Sequence, residues 1–351
     1  MAADRYSFAS RLLHRIALSS NTIAGTAFDV EKALYGGCED EGRHVFIAGL
    51  ARAGTTLLMR LLYDTGEFCS LTYRDMPFVM APNLWAGVSR HSQKMSEATE
   101  RAHGDGLLVD FDSPEALEEI FWRVHCGDDY ISPDYLRKMT ADSDVLVQFR
   151  QYVQLVLLRY DTRRYLSKNN NNILRLRSIA AAYPHSLLLV PFRHPLTQTR
   201  SLLNQHQHFS FEQKKVHFVR QYMDWLVHCE FGNGHKPFFR KASENFSTNQ
   251  QEYWLELWIT TYRYLLKQAS DGIINLKLVS YEALCSDPYH IWSALADSAN
   301  ISTSLPTRIS VSRPPPQPTQ EGVDAKLLEQ AEMLYQQLRR LSEQQLKLYP
   351  H

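Results

Sequence analysis

The sequence predicts an α/β protein: a parallel β-sheet flanked by helices, with helical insertions and further helices at both ends. Three observations predict it. Compact apolar runs such as His44–Leu50 and Ser186–Phe192 are of strand length. Segments with helical spacing and recognisable start or stop residues follow them directly. The strand–helix alternation recurs along the chain, the pattern of a parallel sheet covered on both faces.

In chain order, residues 1–42 read as a helical lead-in ending at the Gly36-Gly37 turn. HVFIAGL is the first strand, ARAGTT a loop, and TTLLMRLLYDTG a helix stopped by Gly66. A helical stretch from Asp144 to Arg163 feeds the short strand RRYLSKN, after which Asn171 or Asn172 can cap the helix NILRLRSIAAAYP. SLLLVPFR is a buried strand, and Pro195 takes the first-turn position of a helix running through SLLNQH. INLKLVSYEAL is another strand entering another helix. Residues 87–143 and 207–255 do not fit the alternation and read as insertions over the sheet, where a lid or acceptor pocket could sit. The segment 43–312 reads as a single domain. RPPPQP (Arg313 to Pro318) is a stiff linker, and Leu327, Ala331, Leu334, Leu338 and Leu341 form one stripe of a terminal helix.

Composition sets limits on function. The chain has 351 residues, 44% hydrophobic and 22% charged, which excludes a disordered tail, a collagen-like repeat or a coiled-coil rod. Lys plus Arg and Asp plus Glu both number 38, so the net charge is zero and any anion site must be local. No nucleic-acid partner is expected, and no apolar run reaches membrane-spanning length. The five cysteines are scattered without a CxxC pair, which points to a reducing, cytoplasmic setting and to neither disulfides nor zinc. The histidines at 206, 208 and 217 lack metal-ligand spacing, so no metal is expected.

The strongest chemical signal is Gly49-Leu-Ala-Arg-Ala-Gly54-Thr55-Thr56, a G-x-x-x-x-G loop between a strand and a helix. Such a loop curls so that backbone N–H groups face an anion, and the helix adds the positive end of its dipole. Where nucleotide-triphosphate loops carry lysine, this chain has Thr55, and Arg52 supplies a cation inside the loop instead. Parallel sheets place ligands beyond the carboxyl ends of their strands. The residues there are Arg52, Lys168, Arg193 and Tyr281, three of them cations, with Ser201 two helical turns after Arg193. That clustering points to a strongly anionic ligand.

These segments resemble the sulfotransferases that use 3′-phosphoadenosine 5′-phosphosulfate (PAPS). FIAGLARAGTTLLMRLL is similar to their 5′-phosphosulfate loop, VPFRHPLTQTRSLL to their 3′-phosphate element, and LVSYEALCSDP to their Tyr-Glu-x-Leu segment. YLSKNNNNILRL is similar to the lysine segment of the Golgi-type, tyrosylprotein-like and bacterial branches. The resemblance covers about residues 44–210 and 274–300 and implies a P-loop-type fold. It implies that Arg52, Ala53, Gly54, Thr55 and Thr56 hold the phosphosulfate and that Lys168 lies near the bridging oxygen. Arg193 and Ser201 would bind the 3′-phosphate, and Tyr281 would lie by the adenine. The activity implied is in-line transfer of a sulfuryl group from PAPS to an acceptor hydroxyl or amine, leaving adenosine 3′,5′-bisphosphate, without a metal.

One departure concerns the base. Where the tyrosylprotein branch has a glutamate, an ungapped count puts Tyr73, and Asp75 is the nearest carboxylate and first candidate. Glu118, Glu119 and His194 are the fallbacks, although a glutamate pair on a helix ordinarily marks a solvated face. Two other readings stay open. A P-loop phosphotransferase would bind ATP with magnesium, and a non-catalytic scaffold would bind the bisphosphate without transferring anything. Carbohydrate, lipid, peptide and small-molecule acceptors all fit, and the sequence leaves a homodimer open.

Overall fold

In the computed structural model, which describes residues 8–89, 99–100, 108–109, 115–239, 245–273, 275–306 and 322–347, the apolar runs form strands and the periodic segments form helices. The strands are β1 (Val45–Ile47), β2 (Thr99–Glu100), β3 (Leu108–Val109), β4 (Leu166–Lys168), β5 (Leu187–Phe192) and β6 (Leu276–Ser280). Four of them make one parallel sheet in the order β4-β1-β5-β6, while β2 and β3 form a separate antiparallel pair. Phe46 pairs with Ser167 on one side and Leu188 on the other, and Val190 pairs with Leu278. The α/β class expected from the sequence is the class observed.

Every residue of β1, β4 and β5 is buried, as a parallel sheet covered on both faces requires. Alternation along the strands divides their side chains between two cores. Phe46, Leu188, Val190 and Phe192 enter one, with Phe28, Phe121, Tyr152 and Trp258 from the helices Asn21–Leu34, Glu119–Tyr130, Ser143–Tyr160 and Gln251–Asp271. Val45, Ile47, Leu187 and Leu189 enter the other, with Leu58 and Leu62 of the helix Thr55–Tyr63 and Trp292 and Leu295 of the helix Pro288–Ala299. Pro191 is tolerated in central β5 because β1 has already ended: the last β1 residue, Ile47, pairs with Leu189.

The expected insertions touch each other. The Leu136 N–H donates to the Pro237 carbonyl at 2.9 Å, and the Phe239 N–H donates to the Leu136 carbonyl at 2.7 Å. The helix expected to end near His206 runs from Pro195 to Lys215, and a second helix, His217–Trp225, follows it. The helix expected from Asn171 or Asn172 opens differently. Asn169 accepts the Asn171 N–H at 3.0 Å and starts a 3-10 turn, Asn170–Arg175, and the α-helix proper is Leu176–Ala182. Asparagine side chains offer the backbone such local partners in competition with the helix. The Pro-rich run Arg313 to Pro318 lies outside the described residues.

The predicted terminal stripe belongs to the helix Ala325–Gln345. Ala331, Leu334 and Leu338 are buried in the larger core, with Leu327 and Leu341 packed against it. The same helix reaches the outer edge of β6. Ser342 Oγ donates to the Leu278 carbonyl at 2.8 Å, Gln345 Oε1 accepts the Leu278 N–H at 2.9 Å, and Gln345 Nε2 donates to the Leu276 carbonyl at 3.0 Å. Among the described residues no helix is long and apolar enough to cross a membrane, and the five cysteines are free.

Candidate active site

All four strands of the sheet are parallel, so their carboxyl ends share one edge, and the residues singled out from the sequence lie there. After Ile47 the chain turns through residues 48–54 into the helix Thr55–Tyr63. Gly54 has φ +92°, and a Cβ on it would stand 2.6 Å from Tyr281 Cδ2, so only glycine lets the loop lie against that ring. Arg52 also takes a left-handed conformation, φ +69°, at a cost of about 1–2 kcal/mol for a residue with a side chain. Its Nε donates to Ser201 Oγ at 2.9 Å, tying the loop to the helix Pro195–Lys215 across 149 residues of chain. Gly54 offers no side-chain cap, and Thr55 and Thr56 begin the helix whose positive end faces the loop.

Arg193 follows the last residue of β5. Its guanidinium lies over the Tyr281 ring, 4.7 Å from the centroid, and among the described residues its buried Nε has no hydrogen-bond partner. Tyr281 follows β6 directly, at the start of the short helix Tyr281–Ser286 that Ser280 caps. Next to it, Glu282 accepts the His194 N–H at 2.9 Å and the Tyr335 hydroxyl at 3.0 Å, so the end of β5 is held to the C-terminal helix. His194 Nε2 lies 3.3 Å from Glu332, and burial pushes the imidazole pKa down. These contacts give His194 a packing role.

Lys168 closes β4 and is buried. Its Nζ lies 3.5 Å from Glu115 Oε1, and Glu115 Oε2 accepts the Tyr73 hydroxyl at 3.0 Å. Two residues on, Asn170 Nδ2 donates to Glu230 Oε1 at 2.7 Å, and His228 Nδ1 stands 3.7 Å from the same oxygen. Burial alone would lower the His228 pKa, but Glu230 and Glu115 outweigh it and the pKa is raised. Burial would likewise raise Glu230, but His228 and Asn170 hold it at about 2.

Three of the candidate bases are engaged by partners other than the site cations. Asp75 is 1% exposed and closes a capping box with Thr72, whose N–H it accepts at 2.8 Å. It also accepts the Tyr160 hydroxyl at 2.6 Å and faces Arg159 at 3.6 Å. Burial raises its pKa against these partners, and none of them is Lys168, Arg52 or Arg193. The first candidate base is thus engaged by Thr72, Tyr160 and Arg159. Glu118 and Glu119 are not on a solvated face. Glu118 accepts Trp122 Nε1 and the Tyr165 hydroxyl, and Glu119 binds Arg175 at 2.7 Å inside the core. Their helix buries this side because Phe121, Trp122 and Cys126 belong to the larger core.

Glu115, His228, Glu230 and Asn170 were not singled out from the sequence. Glu115 stands three residues before Glu118, and its partners Tyr73 and Lys168 are 42 and 53 residues away. The Asn run after Lys168 was a weak signal of a polar pocket. Among the described residues no group of three His, Cys, Asp or Glu side chains is placed to hold a metal ion.

The arrangement defines an α/β protein with a glycine loop after its first strand and buried cations at the carboxyl edge of its sheet. The chain belongs to the sulfotransferase family, whose model, described as "Sulfotransferase family", matches residues 44–235. No curated protein matches it by sequence. Among solved structures it is similar to sulfotransferase STF1 from Mycobacterium tuberculosis H37Rv, with 15% identity, TM-score 0.52, and 93% of this chain and 85% of that one covered. It also matches sulfotransferase STF9 from Mycobacterium avium at 14% identity and TM-score 0.43, covering 93% of this chain and 80% of that one. At these identities the likeness to STF1 concerns the fold alone.

Proposed function

We propose that this sulfotransferase takes its sulfuryl group from PAPS and passes it directly, in line, to an acceptor hydroxyl or amine. The observation that carries the reading is Arg193. A guanidinium that is 9% exposed, stacked on Tyr281 and with a buried Nε that no described residue pairs is prepared for an anion from outside. A 3′-phosphate is such an anion, and ATP lacks it.

The residues present suit the rest of that donor. When bound, PAPS supplies an activated sulfuryl group on a phosphate leaving group. Arg52, Ala53, Gly54, Thr55 and Thr56 would hold the 5′-phosphosulfate with loop N–H groups, hydroxyls and the helix dipole. Tyr281, lying against Gly54 and under Arg193, would offer a face to the adenine. Ser201, already bonded to Arg52, would join the 3′-phosphate site to the phosphosulfate loop. Lys168 would neutralise charge appearing on the leaving oxygen, the step at which a fixed cation counts most. A transferring sulfuryl group carries less negative charge than a phosphoryl group, so these cations would serve without magnesium. The acceptor would be a carbohydrate, lipid, peptide or small-molecule hydroxyl or amine.

The test is calorimetric titration of adenosine 3′,5′-bisphosphate, and of ATP with magnesium, into wild type and Arg193→Ala. Tight bisphosphate binding that weakens at least about tenfold in the variant is expected, since hydrogen bonds to charged groups contribute about 1.5–3 kcal/mol. ATP binding as tight as bisphosphate binding, and indifferent to Arg193, would move the chain to the phosphotransferases.

A further inference from the structure

We propose that Glu115 is the general base that takes the proton from the acceptor. The inference rests on the sulfotransfer reading above and names the group that reading lacks.

Position is the first argument. Glu115 is the carboxylate paired with Lys168, at the carboxyl edge of the sheet, and it is 9% exposed. The Tyr73 hydroxyl donates to Oε2 and the Ala116 N–H to Oε1, each at 3.0 Å, so the carboxylate is oriented from both sides. A fixed orientation is what a base needs, because its lone pair must meet one proton in one place. Elimination is the second argument. Asp75, Glu118 and Glu119 are committed to a capping box or the core. Glu230 is bound by Asn170 and His228, while the charge of His228 is itself felt from Glu115.

Chemistry is the third. In an in-line transfer the entering and leaving oxygens lie on opposite sides of the sulfur. A carboxylate and an ammonium 3.5 Å apart form a pair that can serve both sides at once. Glu115 accepts the acceptor proton as the acceptor oxygen forms its bond to sulfur. The bond from sulfur to the bridging phosphate oxygen breaks, and its electron pair stays on that oxygen beside Lys168. The products are the sulfated acceptor, adenosine 3′,5′-bisphosphate and a protonated Glu115, which returns its proton to solvent. Among the described residues, Lys168 and, further off, His228 are charged groups that face the carboxylate, and the Tyr73 phenol is a neutral donor to it.

The experiment uses the full chain and four acceptors of known acidity: water, methanol, phenol and 4-nitrophenol. Transfer from radiolabelled PAPS is followed across pH for wild type, Glu115→Gln and Glu115→Asp, with bisphosphate affinity measured in parallel. For Glu115→Gln the rate to methanol and water should fall by about 10²–10⁴, with bisphosphate affinity changed by less than about threefold. The loss should be far smaller for 4-nitrophenol, which is ionised without help. The fall of the wild-type rate toward acid should disappear, and Glu115→Asp should recover part of the rate. An equal loss for all acceptors, or an unchanged pH profile, would overturn the assignment and leave Glu115 a mere partner for Lys168. Absence of transfer to every acceptor by a wild type that binds bisphosphate would overturn it too. Failure of the wild type to bind bisphosphate would instead strike the donor assignment beneath it.

Discussion

Replacing Gly54 by alanine tests whether the phosphate loop and the adenine side of the site are one mechanical unit. Two costs can be read from the geometry. The first is conformational: φ +92° is strained for any residue with a Cβ, by about 1–2 kcal/mol. The second is steric. The new methyl would lie 2.6 Å from Tyr281 Cδ2 and 3.2 Å from Cε2, so the ring must retreat by about 1 Å to reach ordinary contact, an overpacking of about 1–3 kcal/mol. The sum, about 2–5 kcal/mol, should appear as a lowered urea midpoint. Because Arg193 rests on the same ring, bisphosphate affinity should fall as well. The assay is a double-mutant cycle with Tyr281→Ala, which removes the obstructing ring and leaves the φ strain. The steric part, about 1–3 kcal/mol, should return as a favourable coupling. If the two substitutions add to within about 0.5 kcal/mol, Tyr281 does not press on the loop and the reasoning fails.

Two further predictions concern stability. His235 bonds the Cys229 carbonyl at 3.0 Å and the Tyr253 hydroxyl at 2.8 Å, and burial lowers its pKa to about 4, as burial also lowers that of neighbouring His206. Between 6.5 and about 4 the unfolded chain therefore binds a proton that the folded chain refuses. Stability should therefore be lost as the pH is lowered through that window, by up to roughly 3 kcal/mol at about 1.4 kcal/mol per unit. His235→Gln should flatten the slope of thermal midpoint against pH there, and an unaltered slope would remove His235 from the account. Glu119→Gln leaves Arg175 uncompensated between the Trp122 and Tyr130 rings, 4.8 and 5.2 Å away, and should cost about 3–5 kcal/mol by urea denaturation. A cost below about 1 kcal/mol would mean that the pair is not truly dry.

Local patterns in the sequence revealed the sheet, and the strand-end rule located Arg52, Lys168, Arg193 and Tyr281. That rule works when every strand points the same way, because a single edge then collects whatever follows each strand. Asp75 shows a signal that was legible but unread: Thr72-Tyr73-Arg74-Asp75 has capping-box spacing, and the structure contains that box. Glu119 shows one that was not. Its burial depends on Arg175, 56 residues away, and no local pattern announces such a partner. Glu115 falls between these cases. It shares an acidic stretch with Glu118 and Glu119, and only the approach of Lys168 and Tyr73 separates it from Glu118.

The C-terminal helix has a consequence beyond packing. An outermost strand ordinarily presents a row of unpaired amides and carbonyls to any passing chain, which makes it a seed for intermolecular pairing. On β6, Ser342 and Gln345 answer three of those backbone groups with side-chain atoms. The last turns of the helix thus imitate a fifth strand without offering a new edge in return. This helix acts as an insulator along the outer side of β6.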